Sequence, residues 1–344
     1  MGFLEGYKVL EISRYPAGSI LGMMLADEKA EVTKILFPNI NPKQESVEFS
    51  VWNRGKNILN ANIFNDSTSL QNILNLCTTA DIVIVCLDPE EINKYSLTYD
   101  SLKGESIVVS LPCFPPGHNL DYLPPEEEIG AASSGIYSLN PAGKLPVPGE
   151  GPSFHSLYYS SSFAAMTAAS AVVGALLQKN MTGLGQQVSV SLHDAMYQGM
   201  GGNLIRHSKR SEGRQVAHPV IGRAYQCKDD KWININMSHP RFLEPFLKSI
   251  NKIEWFEELN NLETLLKDDH SLNMYKEKFA LIWKEKTAKE WENKLGDIGV
   301  PGSISRTIDE WIDEEQSNLS EAIIDISDSY FGKMKQPGKL IQDL

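Results

Sequence analysis

The strongest constraint on the fold is a set of short strands that are largely apolar along their length instead of alternating with polar residues. The strand patterns lie at residues 8–12, 31–36, 82–85 and 107–109. Helical patterns separate them, from Ser19 to about Asp27 and from Asp66 to Ala80. Strands of this kind are buried on both faces, which is typical of a parallel sheet covered by helices on both sides. The first part of the chain is therefore predicted to form an α/β domain.

The amino-acid composition changes at two points in the rest of the chain. Residues 111–160 are rich in proline and glycine, which indicates loops, and loops at the strand ends of an α/β sheet are where ligands usually bind. After about residue 210 an antiparallel hairpin is predicted at 225–237, followed by charged helical sequence. The predicted domains are a large α/β domain at 1–205, completed by 305–344, and a small α+β domain at 215–300.

Charge and composition argue against several classes of protein. The net charge is −12 and no cluster of lysine and arginine stands out, so we expect no nucleic-acid partner. The longest apolar run, 163–177, is shorter than the roughly 20 residues of a membrane span, so we expect a buried core helix and no membrane partner. The four cysteines form no CxxC pair, and Cys86 and Cys113, which adjoin apolar runs, predict buried thiols in a reducing compartment. We expect no metal. The first residues run directly into a strand, which leaves no room for a signal peptide and favours a cytoplasmic protein.

A series of short motifs follows one order along nearly the whole chain. The longest is TGLGQQVSVSLHDA at 182–195. Shorter ones lie at 4–12, 17–18, 25–35, 53–56, 80–84, 287–291, 299–301 and 336–338. Together they resemble the class III CoA-transferase family, also called the CaiB/BaiF type, which includes formyl-CoA transferase, carnitine CoA-transferase and α-methylacyl-CoA racemase.

The resemblance implies a fold, an assembly and a substrate class. The family fold has a Rossmann-like large domain with a parallel sheet, built from both ends of the chain, and a smaller α+β domain. Two chains thread through each other, so the resemblance implies an interlocked dimer, either a homodimer or a heteromer with a related subunit. The substrates would be acyl-CoA thioesters and carboxylic acids. Coenzyme A would enter as the acyl-CoA substrate, and no metal would be needed.

The residue that the family uses for catalysis differs in this chain. A carboxylate that attacks a thioester forms a mixed anhydride, which keeps the energy needed to remake a thioester. In the family an aspartate on the central helix does this, and counting back from Ala175 and Leu176 places Ser161 at the matching position. No Asp or Glu occurs between Glu150 and Asp194. Ser161 is therefore a candidate catalytic residue, and the alternative is a small polar residue that caps the helix.

Three further residues are candidates for acid–base chemistry. Glu128 matches a family glutamate near the active-site loop, although it could equally be an acid at a helix start. His118, in the segment GHNLDY, resembles the histidine with which family racemases move a proton beside the thioester carbonyl. His155 lies shortly before Ser161. A loop position for His118 and a structural hydrogen bond for His155 are the alternatives. We expect Asp194 to cap the helix that follows it.

The candidate contacts for coenzyme A lie in two groups. A loop before the first helix could bring its backbone close to the cofactor, and the helix start would suit a pyrophosphate. The loop residues are Tyr15, Pro16, Ala17 and Gly18. The basic candidates for phosphate charge are Arg54, Lys56 and Lys94. For Arg54 and Lys56, a place on the solvated surface is the alternative.

Three functions remain open from the sequence. The first is an enzyme that transfers coenzyme A between carboxylic acids, with Ser161 in place of the family aspartate. The second is an acyl-CoA isomerase, racemase or lyase that uses His118 or His155 as the base. The third is a non-catalytic subunit that pairs with an active relative. The presence or absence of a carboxylate that reaches the thioester distinguishes the first from the third.

Overall fold

The computed structural model describes residues 2–37, 46–61, 66–102, 104–138, 152, 154, 157–201 and 218–341. The described residues form two compact units. One unit holds the residues up to 138, those from 152 to 201 and those from 318 onwards, and the other holds 218–317. The domain bounds predicted from the sequence remain a proposal.

A six-stranded parallel sheet forms the centre of the first unit. Its strands are β1 (Lys8–Ser13), β2 (Glu31–Leu36), β3 (Asn57–Asn60), β4 (Ile82–Cys86), β5 (Ile107–Ser110) and β6 (Gln187–Ser189). They lie in the order β3-β2-β1-β4-β5-β6, with every neighbouring pair parallel. All five residues of β4 are buried, as the apolar pattern predicts. The predicted parallel α/β sheet is confirmed.

Helices cover both faces of this sheet. They are α1 (Pro16–Asp27), α2 (Val47–Trp52), α3 (Ser67–Thr79), α4 (Pro89–Lys94), α5 (Glu127–Ser134), α6 (Tyr159–Thr182) and α7 (Leu192–Met200). One core joins α1 and α6 to one face of the sheet, and a second core joins α3 to the other face. A Cβ at Gly18 of α1 would lie 2.5 Å from the Cβ of Ser13. Only glycine therefore lets α1 lie this close to β1.

Helix α6 is longer than the apolar run in the sequence, with 24 residues. Its buried face is built mostly from small residues, which allow close packing against α1 and α7. By length and composition alone this helix could cross a membrane, and 44% of its apolar window is buried within the structure. Apolar side chains also occupy its exposed face, namely Phe163, Met166, Val173, Leu177 and Met181.

The second unit is a small α+β structure. The strands β7 (Ala224–Gln226), β8 (Trp232–Ile235) and β9 (Gly302–Ile304) form an antiparallel sheet. The predicted hairpin is the β7–β8 pair. The helices of this unit are α8 (Pro240–Ser249), α9 (Phe256–Asn260), α10 (Leu262–Leu265), α11 (Asp269–Trp283), α12 (Ala288–Asp297) and α13 (Ile308–Ile312). The core is aromatic, with Trp283 stacked on Phe246 and packed against Trp291.

The last elements of the chain return to the first unit. A short helix, α14 (Glu315–Leu319), precedes an antiparallel hairpin of β10 (Ile323–Asp328) and β11 (Gly332–Pro337). Ser50 of α2 donates to Asp328 at 2.5 Å and accepts from the Gln336 amide at 2.8 Å. These side-chain hydrogen bonds attach the hairpin to α2.

Candidate functional site

The strand order places a crevice at the carboxyl ends of β1 and β4. The chain winds outward from β1 toward β3 and then outward from β4 toward β6, and ligands of α/β sheets bind where the order reverses in this way. The loop after β1 crosses to the loop after β4 at this point. Arg14 Nη1 lies 2.5 Å from Glu91 and 3.3 Å from Asp88, and the Tyr15 hydroxyl donates to Asp88 at 2.5 Å. These contacts join the loop after β1 to the start of α4.

A cavity of about 260 Å³ opens beside this crevice. Its aromatic walls include Tyr15, Phe49, Trp52 and Tyr158, with the rings of Trp52 and Tyr158 edge to face at 4.9 Å. Tyr15 immediately precedes α1 and Tyr158 immediately precedes α6. The cavity therefore lies where two helix starts meet, and its apolar walls suit a ligand with flat or aliphatic parts.

Two residues of the predicted loop at 15–18 line the cavity, and the other two lie in the core. Tyr15 and Pro16 line the cavity. Ala17 is fully buried, and Gly18 packs against Ser13 and Cys86 of the sheet. Among the described residues no side chain caps the start of α1, and the first turn of this helix has no acidic residue. This helix start is therefore the part of the loop that suits an anion.

A buried ion cluster lies beneath the cavity. Glu11 accepts from Lys34 at 2.5 Å and from Lys56 at 2.6 Å, and Lys34 also donates to Ser13 and Ser19. Burial favours a higher pKa for Glu11, but the two ammonium groups outweigh it and hold that pKa at about 2. Burial lowers the pKa of Lys56 to about 8, against the attraction of Glu11. With both lysines protonated, the cluster carries one net positive charge.

The basic residues predicted to contact phosphate lie away from the cavity lining. Arg54 is bound by both carboxylate oxygens of Asp27, at 2.9 and 2.6 Å. The side chain of Lys56 is fully buried against Glu11. Lys94 is exposed on α4, with its ammonium 5.1 Å from the centre of the Tyr95 ring. Arg54 and Lys56 thus have internal partners, and the assignment of all three to phosphate binding stays a prediction.

Ser161 lies in the first turn of α6 and is completely buried. Its hydroxyl has no hydrogen-bond partner among the described residues, so it does not cap the helix. A carboxylate from α5 takes that role. Glu127 Oε1 accepts from the Ser160 amide at 2.9 Å, and Oε2 accepts from the Ser161 amide at 2.8 Å. The helix start thus holds a carboxylate that comes from a different element.

Glu128, the acid predicted from the sequence, is exposed, whereas Glu127 is only 4% exposed, and the role predicted for Glu128 stays a prediction. The sequence carries a signal for the burial of Glu127. Gly130 and Ser134 follow Glu127 at three and seven residues, and all three are buried. That spacing marks the packed face of a helix, and Glu128 falls outside it.

His118 and His193 lie close to each other in the first unit. The His118 ring stacks on Phe114 at 4.8 Å, and its centre is 6.1 Å from that of His193. Nδ1 of His193 lies 3.0 Å from the Ser133 hydroxyl. Burial lowers the pKa of His193, while the charge of Asp194 opposes this shift. His155 lies outside the described residues.

The helix after β6 is capped by the Ser191 hydroxyl, which accepts from the Asp194 amide at 3.2 Å, so the predicted cap by Asp194 is wrong. Within the described ranges, no group of three or more His, Cys, Asp or Glu side chains is arranged to hold a metal ion.

The sequence matches CoA-transferase family III over residues 4–342. It is similar to the CoA-transferase/lyase DddD of Marinomonas sp., with 26% identity over 98% of this chain. The chain spans only 46% of the length of that protein. It is also 25% identical to the (R)-2-hydroxy-4-methylpentanoate CoA-transferase of Clostridioides difficile, over 91% of this chain and 82% of that protein.

Solved structures share the fold. The orthorhombic form of Rv3272 from Mycobacterium tuberculosis has a TM-score of 0.83 and 20% identity, over 100% of this chain and 93% of the other. A CAIB/BAIF family protein from Brucella suis has a TM-score of 0.77 and 21% identity, over 99% of this chain and 93% of the other. These similarities confirm the predicted fold class.

Proposed function

This chain belongs to CoA-transferase family III, and on that basis we propose that it binds acyl-CoA thioesters and transfers coenzyme A between carboxylic acids. The observation that supports the proposal best is the cavity between the starts of α1 and α6. It lies at the point of the sheet where ligands of α/β folds bind. Its aromatic walls suit the adenine and pantetheine parts of coenzyme A, and the uncapped start of α1 suits a pyrophosphate.

The charge beneath the cavity supports the same ligand. Lys34 lines the cavity and belongs to the cluster with one net positive charge. A buried charge is screened less by salt than a surface charge. The start of α1 adds the positive end of the helix dipole. Together these groups favour an anion against the opposing charge of Glu48, which also lines the cavity. Arg54 and Lys56 are held by Asp27 and Glu11.

In the proposed transfer, the family aspartate is replaced by Ser161. Its hydroxyl can donate a hydrogen bond, but an ester formed on it would not keep the energy of an anhydride. Transfer therefore needs a carboxylate from elsewhere. A chain that binds acyl-CoA without exchanging it would instead fit the non-catalytic subunit, and a chain that rearranges the acyl group would fit the isomerase or lyase.

Acetyl-CoA is expected to raise the melting temperature of the protein, because a ligand that binds only the folded state stabilises it by mass action, by about 2.7 kcal/mol at 100 times Kd. Trp52→Ala should reduce this shift, since it removes an aromatic wall of the cavity. Differential scanning fluorimetry measures the effect, and an exchange assay with a labelled acid measures transfer.

The control for this experiment is Trp311→Ala, which removes an exposed tryptophan of the second unit and should leave the ligand shift unchanged. Arg54→Ala tests the predicted phosphate contact, and a smaller shift in this variant would support it. Absence of any shift at millimolar acetyl-CoA in the wild type would contradict acyl-CoA binding.

We further propose that the chain assembles as an interlocked dimer, with itself or with a related subunit. The exposed face of α6 carries Met166, Val173 and Leu177, which are 51%, 49% and 63% exposed. These residues lie at helical spacing on one stripe, and a stripe of this kind is typical of an interface. Sedimentation velocity at micromolar concentration should show a dimer. A folded monomer would rule out interlocking.

A further inference from the structure

Building on the proposed function, we infer that Glu127 of α5 is the carboxylate that receives the acyl group. The proposal rests on three features of the α6 start: a buried carboxylate aimed at it, an unpartnered hydroxyl beside it, and the absence of any acidic residue in the sequence from 151 to 193. The catalytic carboxylate would then come from a neighbouring helix instead of from α6 itself.

The carboxylate of Glu127 is held by backbone groups. Its two oxygens accept from the amides of Ser160 and Ser161 at 2.9 and 2.8 Å, and it forms no ion pair in the described part of the chain. The start of a helix is a favourable place for a carboxylate, because its free amides donate to the carboxylate oxygens. These two contacts hold the carboxylate of Glu127 in one position at the start of α6.

Ser161 supplies the second feature. Its hydroxyl is buried and has no partner among the described residues. Buried polar groups are nearly always hydrogen-bonded, so an exception calls for an explanation. When an acyl carbonyl lies against Glu127, this hydroxyl can donate to the carbonyl oxygen as negative charge develops there. Ser161 then acts as a donor to the oxyanion and Glu127 as the nucleophile.

The chemical steps balance without any further reactant. A carboxylate oxygen of Glu127 bonds to the thioester carbonyl carbon, the carbon–sulfur bond breaks, and the CoA thiolate leaves with the electron pair. The product is a mixed anhydride. The thiolate then attacks the carbonyl carbon of Glu127, forming a CoA thioester on the enzyme and releasing the donor acid. The acceptor carboxylate then attacks the enzyme-bound thioester and displaces the CoA thiolate, which forms a second mixed anhydride. The thiolate attacks the acyl carbon of the acceptor, releasing the new acyl-CoA and the free carboxylate of Glu127.

The neighbouring acids do not share these contacts. Glu128 is exposed, and Glu126 immediately precedes α5. In the described structure, neither carboxylate accepts a hydrogen bond from an amide at the start of α6. Glu5→Gln provides the control, because it removes an exposed carboxylate from the same unit that has no contact with the start of α6.

The test is peptide mass spectrometry after incubation with acetyl-CoA, with and without hydroxylamine. We expect an adduct on the peptide that contains Glu127, and a hydroxamate at Glu127 after hydroxylamine treatment. Glu127→Gln should lose both and should slow exchange by roughly 100-fold or more, since the reacting group is gone. Glu5→Gln should keep the adduct and the rate.

Each other outcome overturns the inference in a recognisable way. Exchange by the wild type with no label at Glu127, or exchange at the wild-type rate by Glu127→Gln, would overturn it while leaving the proposed function intact. A label between residues 151 and 193 would assign the acyl group to α6. Absence of both binding and exchange would overturn the proposed function as well. Circular dichroism and melting temperature show whether Glu127→Gln is folded, and Glu127→Asp, which keeps a carboxylate, should carry the label at its own position.

Discussion

Replacement of Glu11 by glutamine is expected to lower the free energy of unfolding by about 3–5 kcal/mol, because breaking a buried ion pair leaves charge without compensation. The ammonium groups of Lys34 and Lys56 both depend on this carboxylate, at 2.5 and 2.6 Å. Neither Glu11 nor Lys56 has exposed side-chain surface, so water cannot replace the lost partner. Urea denaturation at pH 7 measures the change.

The matched control is Glu244→Gln on α8, which breaks an exposed pair with Lys248. Exposed pairs at this helical spacing contribute about 0.3–0.5 kcal/mol. A loss of similar size in both variants would contradict the role assigned to Glu11.

The free energy of unfolding of the wild type should depend more strongly on pH in the acid range than that of Glu11→Gln, in the same urea denaturation experiment. The pKa of Glu11 falls from 4.5 to about 2 on folding. The unfolded state therefore binds more protons than the folded state between these values, and stability falls as the pH is lowered through that window. The variant lacks this carboxyl, so its stability should depend less on pH between 4.5 and 2.

Ser161→Asp is expected to destabilise the protein by about 3–5 kcal/mol at neutral pH, because it adds an uncompensated buried charge. The sequence alone suggests a mild change, since aspartate is small and favours helix starts. In the structure, Ser161 is fully buried and the carboxylate of Glu127 already binds its amide. The introduced carboxylate would lie next to that of Glu127, and two neighbouring carboxylates cannot both ionise without cost. The pKa of the introduced carboxyl should therefore be raised. The penalty should then grow as the pH rises through that raised value.

Ser162→Asp is the control for this prediction. Ser162 lies one residue further along the same turn and is partly exposed. An acid there meets the positive end of the helix dipole without burial, which should stabilise the fold by about 0.3–1 kcal/mol. Thermal and urea denaturation at pH 5 and pH 8 would compare the two variants. Equal stability at both pH values would show that Glu127 does not control this position.

The sheet could be predicted from the sequence because its signal is local. Residues 82–85 and 107–109 are apolar without alternation, and this pattern alone indicates strands buried on both faces. The motifs in family order likewise predicted the family correctly. The strand β3 was missed because its residues, Asn57–Asn60, are half polar and lie exposed at the sheet edge.

The partners within the site could not be predicted in the same way, because they are distant along the chain. Glu11 of β1 pairs with Lys34 of the neighbouring strand β2, and Lys56 directly precedes β3, which pairs with β2 on its other side. Glu127 meets Ser161 only because α5 packs across the start of α6. Residue types and local periodicity thus predicted most of the elements, and the resemblance of the ordered motifs predicted the family. The packing of those elements decided which of several nearby acids lies at the start of the central helix.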